Sequence, residues 1–243
     1  MKTSAVKTIG ILTSGGDAPG LNAAIRGICA AGINVYGMKV VGIKNGYKGF
    51  EQGLCVPIEK KDLPELLMKG GTVLGSTREK PFKNKEKIKQ TGLSAVESIK
   101  KHYKQWKLDA LVVLGGNGSN TTAGLLAKEG LNVIGLPKTI DNDIVHTDYT
   151  FGFHTAVDIA TESIERIHTT AFSHSRVMVV EVMGHKVGWI GLYSGVAGGA
   201  DVILLPEIPY DIKKVAEKIR DDRKSGKNFS IVVVSEGALN NDE

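Results

Sequence analysis

Cysteine is scarce in this 243-residue chain, which contains only Cys29 and Cys55. The two thiols lack the CxxC spacing, and two cysteines cannot build the set of bridges that holds small secreted domains together. None of the six histidines has a metal-binding spacing such as HExxH. The scarcity therefore excludes a disulfide-dependent fold and argues against a zinc site.

Long uncharged apolar runs are also missing. The first ten residues, MKTSAVKTIG, lack the apolar core of about 7 to 15 residues that a secretory signal needs. No later segment approaches the roughly 18 uncharged apolar residues of a membrane span. We therefore expect no membrane segment and a cytoplasmic location.

Charge is nearly balanced, with 31 Lys and Arg residues against 26 Asp and Glu residues, a net charge of +5. The densest basic run, KPFKNKEKIKQ at 80–90, has one aromatic residue and no RNA-binding signature. We interpret it as the solvated start of a helix. The small positive excess suits a small anionic substrate better than a nucleic acid, so we expect no nucleic-acid partner.

Short apolar runs alternate with helical patterns along the chain. Several runs are apolar on successive residues, as strands buried on both faces are, and Leu21, Ile25 and Ile28 recur at the spacing of one helix face. The predicted strands cover residues 8–12, 40–43, 110–114, 132–136, 176–182, 201–205 and 230–234. The first predicted helix begins near Leu21, and three more cover 96–106, 121–128 and 155–167. The last predicted helix is capped by Asp211. This alternation predicts an α/β, Rossmann-like fold of doubly wound, mostly parallel sheets with flanking helices.

A polar stretch, PKTIDNDIVHTDYTFGF, separates two of these strand–helix series. It predicts two similar domains, at residues 1–138 and 139–243, with the second incomplete. In such sheets ligands collect beyond the carboxyl ends of the strands, so the residues that follow each strand are the candidates for chemistry.

Two of these strand ends are rich in glycine. Gly15 and Gly16 in TSGGDAPG follow the first strand, and Ser119 lies in GGNGSNTTA after the strand at 110–114. Each turn leads into a helix, whose amino end attracts anions, so each can cradle phosphate. A plain tight turn is the alternative for either one alone. Neither turn contains GKS/T or GxGxxG, which disfavours a P-loop and classical dinucleotide binding.

Two carboxylates, Asp141 and Asp143 in LPKTIDNDIV, follow the strand at 132–136. Phosphoryl transfer to an alcohol needs one carboxylate to accept the hydroxyl proton and another to support magnesium. Residues two apart in an extended chain point the same way, so both can face one site. The alternative is a DND turn whose side chains cap their own backbone.

Basic groups lie at one further strand end and elsewhere in the chain. Arg78 closes GGTVLGSTR, Arg176 opens the strand at 176–182, and EVMGHKVGW at 181–189 carries a basic pair between glycines. The planar fork of arginine suits phosphate oxygens, although an unpartnered surface arginine is the more common case.

Taken in order, the motifs ILTSGGDAPGLNAAIR, GGTVLGSTR, LVVLGGNGS, LPKTIDNDI, SHSRVMVVEVMG and AGGADVILLPE resemble those of the phosphofructokinase family. The resemblance runs from Ile9 to Glu236. It implies ATP:fructose-6-phosphate phosphotransfer to the sugar 1-hydroxyl in glycolysis, Mg²⁺ as cofactor, and a homo-oligomer, usually a tetramer. It also implies that residues 1–138 form the nucleotide and phosphate-donor domain and 139–243 the sugar-phosphate domain.

The same resemblance implies roles for individual residues. Asp141 would be the base, with Thr139 and Asp143 beside it and Gly16 and Arg78 completing the catalytic group. The nucleotide would contact Gly16, Arg78, Glu79, Gly116, Asn117, Gly118 and Ser119. The sugar phosphate would contact Thr139, Ile140, Asp141, Met183, Gly184, His185 and Glu236, and Arg176 would reach it across a subunit boundary. Asp143, and more weakly Asn117, would support the metal.

Some positions depart from the family pattern. Asn117 replaces a metal-binding aspartate, and His185 replaces an arginine. Gly118 fits ATP users, whereas Lys138 is common in the group of pyrophosphate-dependent and mixed ATP/pyrophosphate members, so pyrophosphate stays open as the donor. Of the bacterial effector arginines only Arg26 is present, because Ala30 and Gly53 stand at the other positions. The chain also ends at Glu243, before a later sugar-phosphate motif, so we expect a truncated chain. The alternative from a different functional class is a non-catalytic subunit that binds a nucleotide or a sugar phosphate.

Overall fold

The computed structural model describes residues 5–84 and 92–241, so most of the basic run at 80–90 lies outside the described residues. The chain divides into two compact units, Met1–Thr139 and Ile140–Glu243. Both are built mostly of parallel strands with flanking helices, as the alternation predicts. Cys29 is buried and Cys55 exposed, and both are free thiols.

The sheet of the first unit has the order β3-β2-β1-β4-β5. Strand β1 runs parallel to β2 and β4, and β4 runs parallel to β5, whereas β3 is an antiparallel edge strand. The strands are β1 (Thr8–Ser14), β2 (Lys39–Ile43), β3 (Cys55–Ile58), β4 (Ala110–Gly115) and β5 (Val133–Thr139). The helices are α1 (Leu21–Ala30), continued by a π-helical turn at Ala31–Val35, α2 (Gly46–Gln52), α3 (Leu63–Leu66) after a 3-10 turn at Lys60–Asp62, α4 (Ala95–Gln105) and α5 (Asn117–Lys128).

Strands β1 and β4 form the centre of this unit because their side chains are apolar on both faces. Ile11 and Leu12 are neighbours in β1 and both are 0% exposed, but they join different clusters. Ile11 packs with Leu21 and Ile25 of α1, and Leu12 packs with Phe50 of α2. Each such side chain contributes about 1.5–3 kcal/mol of burial free energy. The sheet is therefore packed on both faces, and the loops that follow β1 and β4 begin at its carboxyl edge.

The second unit has a parallel sheet of order β7-β9-β8. Its elements are a two-residue strand β6 (Phe151–Gly152), α6 (Phe153–His174), β7 (Val177–Val182), α7 (Trp189–Ala197), β8 (Val202–Leu204), α8 (Ile212–Lys224) and β9 (Ser230–Ser235). Phe153 and Ile164 of α6 pack with Ile231 and Val233 of β9 in the core. The predicted cap of α8 is confirmed, because Asp211 Oδ1 accepts a hydrogen bond from the Lys213 amide at 2.7 Å.

Candidate active site

The predicted site residues fall in both units. Gly15 and Gly16 follow β1, Gly116 to Ser119 open α5 after β4, and Thr139 ends β5. In the second unit the 183–185 turn follows β7 and Glu236 follows β9. All of these lie at the carboxyl edge of their own sheet, as expected for parallel strands.

The Gly15–Gly16 turn is held by main-chain and hydroxyl contacts. Gly15 has φ 90°, a left-handed conformation that glycine adopts without strain. Its amide donates to the carbonyl of Thr77 at 2.9 Å, and its carbonyl accepts from Ser76 Oγ at 2.5 Å. The loop that ends in Arg78 is thereby tied to the end of β1.

Three polar groups surround the two glycines. A Cβ placed on Gly15 would lie 3.6 Å from Lys138 Nζ and 3.7 Å from Ser119 Oγ, and one on Gly16 would lie 3.8 Å from Arg78 Nη2. Lys138 is only 5% exposed, and its ammonium donates to the Gly16 carbonyl. An ammonium, a guanidinium and a hydroxyl beside two unobstructed glycines are suited to an anion such as phosphate.

Helix α5 begins at this same place. Gly116 at its N-cap offers no side-chain oxygen to the helix amides. Gly115 permits the close approach of the helix, because a Cβ there would lie 2.2 Å from Ser119 Cβ. Tyr47, which is fully buried, donates from its hydroxyl to the Ser119 carbonyl at 2.8 Å and fixes the first turn. The positive end of the helix dipole thus lies beside the glycine turn, where it attracts anions.

Glu79, next to Arg78, belongs to a small charged group. It forms an ion pair with Lys48 at 3.9 Å. The pKa of Glu51 is raised to about 7, chiefly by burial and also by the negative charge of Glu79, while the positive charge of Lys48 opposes the shift. The charge of Glu51, within this group, is therefore sensitive to pH close to neutrality.

The segment that carries Asp141 and Asp143 is not extended, contrary to the expectation from the sequence. Asn142, between Asp141 and Asp143, has φ 55° in the left-handed region. The inference that the two carboxylates point the same way because the chain is extended is therefore wrong. Both aspartates are half-buried, and the side chain of Ile140 packs against the core of the second unit.

The turn after β7 is held by Glu236. Glu236 Oε1 accepts from the amides of Gly184 at 3.0 Å and His185 at 2.5 Å. These two residues have φ of 154° and 55°, a conformation that costs free energy for a non-glycine residue. Met183 beside them is 60% exposed. The carboxylate therefore stabilises the turn that presents the predicted sugar-phosphate residues.

Arg176 lies just before β7 and is exposed. Its amide donates to the Ala171 carbonyl at 3.0 Å, and its carbonyl accepts from the Ser230 amide at 3.2 Å. The backbone is thus fixed on both sides while the guanidinium remains accessible.

Magnesium is the metal that the family resemblance implies, and the question is whether the described residues could bind it. Within residues 5–84 and 92–241 there is no group of three or more His, Cys, Asp or Glu side chains that could hold a metal ion. Mg²⁺ usually keeps several waters and is held by one or two carboxylates plus substrate phosphates. A single half-buried carboxylate such as Asp143 fits that mode, whereas a metal bound by protein alone does not.

Sequence reasoning missed some contacts. The Lys138 contact to Gly16, the Tyr47 contact to Ser119, and the contact of Glu207 Oε1 with the Gly188 amide at 2.8 Å join distant positions. No local pattern marks them. In the sequence, Lys138 stands out only through the family resemblance, and no signal points to Tyr47.

Comparisons with known proteins agree with the motifs. The family model described as Phosphofructokinase matches residues 8–243. The chain is 57% identical to an ATP-dependent 6-phosphofructokinase of Spirochaeta thermophila, covering 100% of this chain and 67% of the relative. It is 47% identical to a pyrophosphate–fructose 6-phosphate 1-phosphotransferase of Amycolatopsis methanolica, and the match covers 95% of this chain and 65% of the relative.

Among solved structures, a phosphofructokinase from Saccharomyces cerevisiae matches with a TM-score of 0.88 and 33% identity, covering 96% of this chain and 34% of that one. The chain thus spans about two thirds of the length of these curated relatives and about one third of the yeast chain. None of the helices in the described part of the chain has the length and apolar character needed to cross a bilayer. The chain belongs to the phosphofructokinase family.

Proposed function

We propose that this chain carries the phosphoryl-transfer site of an ATP-dependent 6-phosphofructokinase of cytoplasmic glycolysis. The enzyme moves the terminal phosphate of ATP to the 1-hydroxyl of fructose 6-phosphate and yields fructose 1,6-bisphosphate. The observation that carries this proposal is the convergence of Lys138 Nζ, Ser119 Oγ and the Arg78 guanidinium on the Gly15–Gly16 turn. Such a set of donors suits the terminal phosphates of a nucleotide.

The first unit is assigned the donor. Backbone amides of the Gly16 turn and the amino end of α5 hold the phosphates, and Arg78 stabilises the charge that develops on the transferred group. Gly118 favours ATP, because a Cβ there would meet no atom of the described residues within 4 Å. That open space leaves room for a nucleoside, and we assign Glu79 and Asn117 to the nucleotide as well.

The second unit, together with Thr139, is assigned the sugar phosphate. Asp141 accepts the proton of the 1-hydroxyl as that oxygen bonds to the terminal phosphorus and the bond to the bridging oxygen of the donor breaks. Met183, Gly184, His185 and Glu236 hold the sugar phosphate, and Thr139 and Ile140 contact it beside the base. Arg176, with an accessible guanidinium on a fixed backbone, reaches the 6-phosphate in a partner subunit of a homotetramer.

Mg²⁺ when bound would neutralise charge on the donor phosphates. Asp143 would hold it, and Asn117 would add one neutral oxygen that binds more weakly than a carboxylate. Because these are few ligands, the donor phosphates and water must complete the shell.

Pyrophosphate is the second candidate donor, and Lys138 favours it because a buried ammonium beside the glycine turn suits a compact, highly charged anion. The test supplies the protein with fructose 6-phosphate, Mg²⁺ and either ATP or pyrophosphate alone, and measures fructose 1,6-bisphosphate. We expect product from ATP. Product from pyrophosphate alone would instead establish the second donor, and binding of both substrates without product from either donor would establish a non-catalytic subunit.

A further inference from the structure

Asn142 separates the two aspartates that the proposed function uses. Its φ of 55° is a left-handed conformation that asparagine adopts more readily than other non-glycine residues. The backbone therefore turns at this residue, and the directions of Asp141 and Asp143 depend on how firmly the turn is held.

The Asn142 side chain closes the loop that follows the aspartates. Its Oδ1 accepts from the Thr150 amide at 2.9 Å, and its Nδ2 donates to the Asp148 carbonyl at 3.2 Å. One end of the amide accepts and the other donates, so both contacts need asparagine in this one orientation. Thr150 is 4% exposed, so its amide would be costly to leave without a partner.

The far end of the loop is fixed to the core of the second unit. The Thr150 carbonyl accepts from the Phe153 amide at 3.3 Å, where α6 begins. The ring of Tyr149 stacks on Phe153 with 6.5 Å between centroids and lies 4.6 Å from the ring of His154. Phe153 is 1% exposed and belongs to the core. Through Asn142, the aspartate turn is thereby anchored to α6.

We propose that Asn142 is a positioning residue for phosphoryl transfer: its side-chain amide fixes the turn that aims Asp141 and Asp143. This inference rests on the proposed function. Asn142 is assigned no contact with either substrate and acts only through its neighbours. Because an approximately 1 Å misplacement of a reacting group can cost about 100-fold in rate, loosening this turn should lower kcat more than it changes either KM.

Two substitutions separate backbone conformation from side-chain contact. Asn142→Gly tolerates the left-handed φ but removes both hydrogen bonds. Asn142→Asp keeps an acceptor for the Thr150 amide but places a carboxylate against the Asp148 carbonyl. We expect kcat to fall by about 10- to 100-fold in the glycine variant and by less in the aspartate variant, with the KM for ATP nearly unchanged in both.

A readout that does not depend on activity is hydrogen exchange at the Thr150 amide. We expect faster exchange in Asn142→Gly, because the acceptor is lost, and near wild-type exchange in Asn142→Asp. Asn228, just before β9, donates from its Nδ2 to the Phe172 carbonyl at 3.4 Å. Asn228→Gly removes this contact and is the matched control. It should change neither kcat nor exchange at Thr150. Thermal unfolding of each variant shows that it is folded.

The outcomes separate a failure of the Asn142 positioning role from a failure of the proposed function. Faster exchange together with a lower kcat at constant ATP KM supports the positioning role. Faster exchange with unchanged kcat overturns that role. Unchanged exchange in the glycine variant shows that the Asn142 side chain does not hold the Thr150 amide, and this also overturns the role. If the unsubstituted protein makes no product from either donor, the proposed function and the positioning role both fail. Exchange at Thr150 still shows whether the Asn142 side chain holds this amide.

Discussion

Lys138 Nζ donates a hydrogen bond to the main-chain carbonyl of Gly16, which joins the ends of β5 and β1 across 122 residues of sequence. The lysine is almost fully buried, and a buried ammonium must be compensated by hydrogen bonds or charge. The contact therefore shapes the glycine turn and also leaves a positive charge beside it.

Replacing Lys138 by methionine should weaken donor binding. The substitution keeps the apolar stem and removes the ammonium, so the Gly16 carbonyl loses its hydrogen-bond partner and the glycine turn loses a positive charge. We expect the KM for ATP to rise about tenfold or more, and the KM for fructose 6-phosphate to change little. Steady-state kinetics with each substrate varied in turn measures both. Lys128→Met at the exposed end of α5 is the matched control, and an unaltered ATP KM in Lys138→Met would show that the contact is irrelevant to the donor.

Removing the carboxylate of Glu236 should affect the sugar phosphate rather than the donor. Glu236→Ala leaves the amides of Gly184 and His185 without their acceptor, so the strained turn should relax and the KM for fructose 6-phosphate should rise. Glu236→Gln keeps an oxygen acceptor and should retain more of the affinity. The comparison is made by titration of fructose 6-phosphate, with Glu217→Gln on exposed α8 as control. Equal affinity in the alanine variant and the unsubstituted protein would contradict the assigned role.

Glu51 should make stability depend on pH. Its folded-state pKa is raised from 4.5 to about 7, chiefly by burial, so the folded state binds the proton more tightly than the unfolded state. This stabilisation is fully present below about 4.5 and is lost as pH rises through about 7. Glu51→Gln should therefore raise the Tm at pH 8 and change it little at pH 4.5.

Thermal unfolding of both proteins across this range measures the effect. Glu217→Gln serves again as control, because its side chain lies on the exposed face of α8 and should give the same Tm difference at both pH values. A Glu51→Gln effect that is larger at low pH than at high pH would reverse the sign and reject the assignment.

Much of the fold follows from local sequence. Apolar runs such as ALVVL predicted β4 because a strand buried on both faces needs successive apolar residues, and Asp211 marked the start of α8. Strand β3 was missed because a four-residue run with Pro57 carries little periodicity, although an edge strand tolerates proline. Helix α2 was missed because it contains Gly46 and Gly49, and its helical state depends on packing of Tyr47 and Phe50 in the core.

The grouping of the candidate residues was predictable in part, but their contacts were not. Parallel strands place their carboxyl ends at one edge, so the residues after β1 and β4 were expected at the candidate site. The direction of Asp141 was not predictable, because it depends on the left-handed turn at Asn142 and on a contact to Thr150. Such contacts depend on tertiary structure that no short pattern encodes.

The most direct test of the account is the Asp141→Asn variant, in which the proposed base loses its ability to accept a proton while its size is preserved. Loss of a general base typically lowers rate by about 100- to 10,000-fold. We therefore predict that kcat for fructose 1,6-bisphosphate formation falls in that range while the dissociation constant for fructose 6-phosphate is little changed. A variant that turns over at the unsubstituted rate would contradict the central claim.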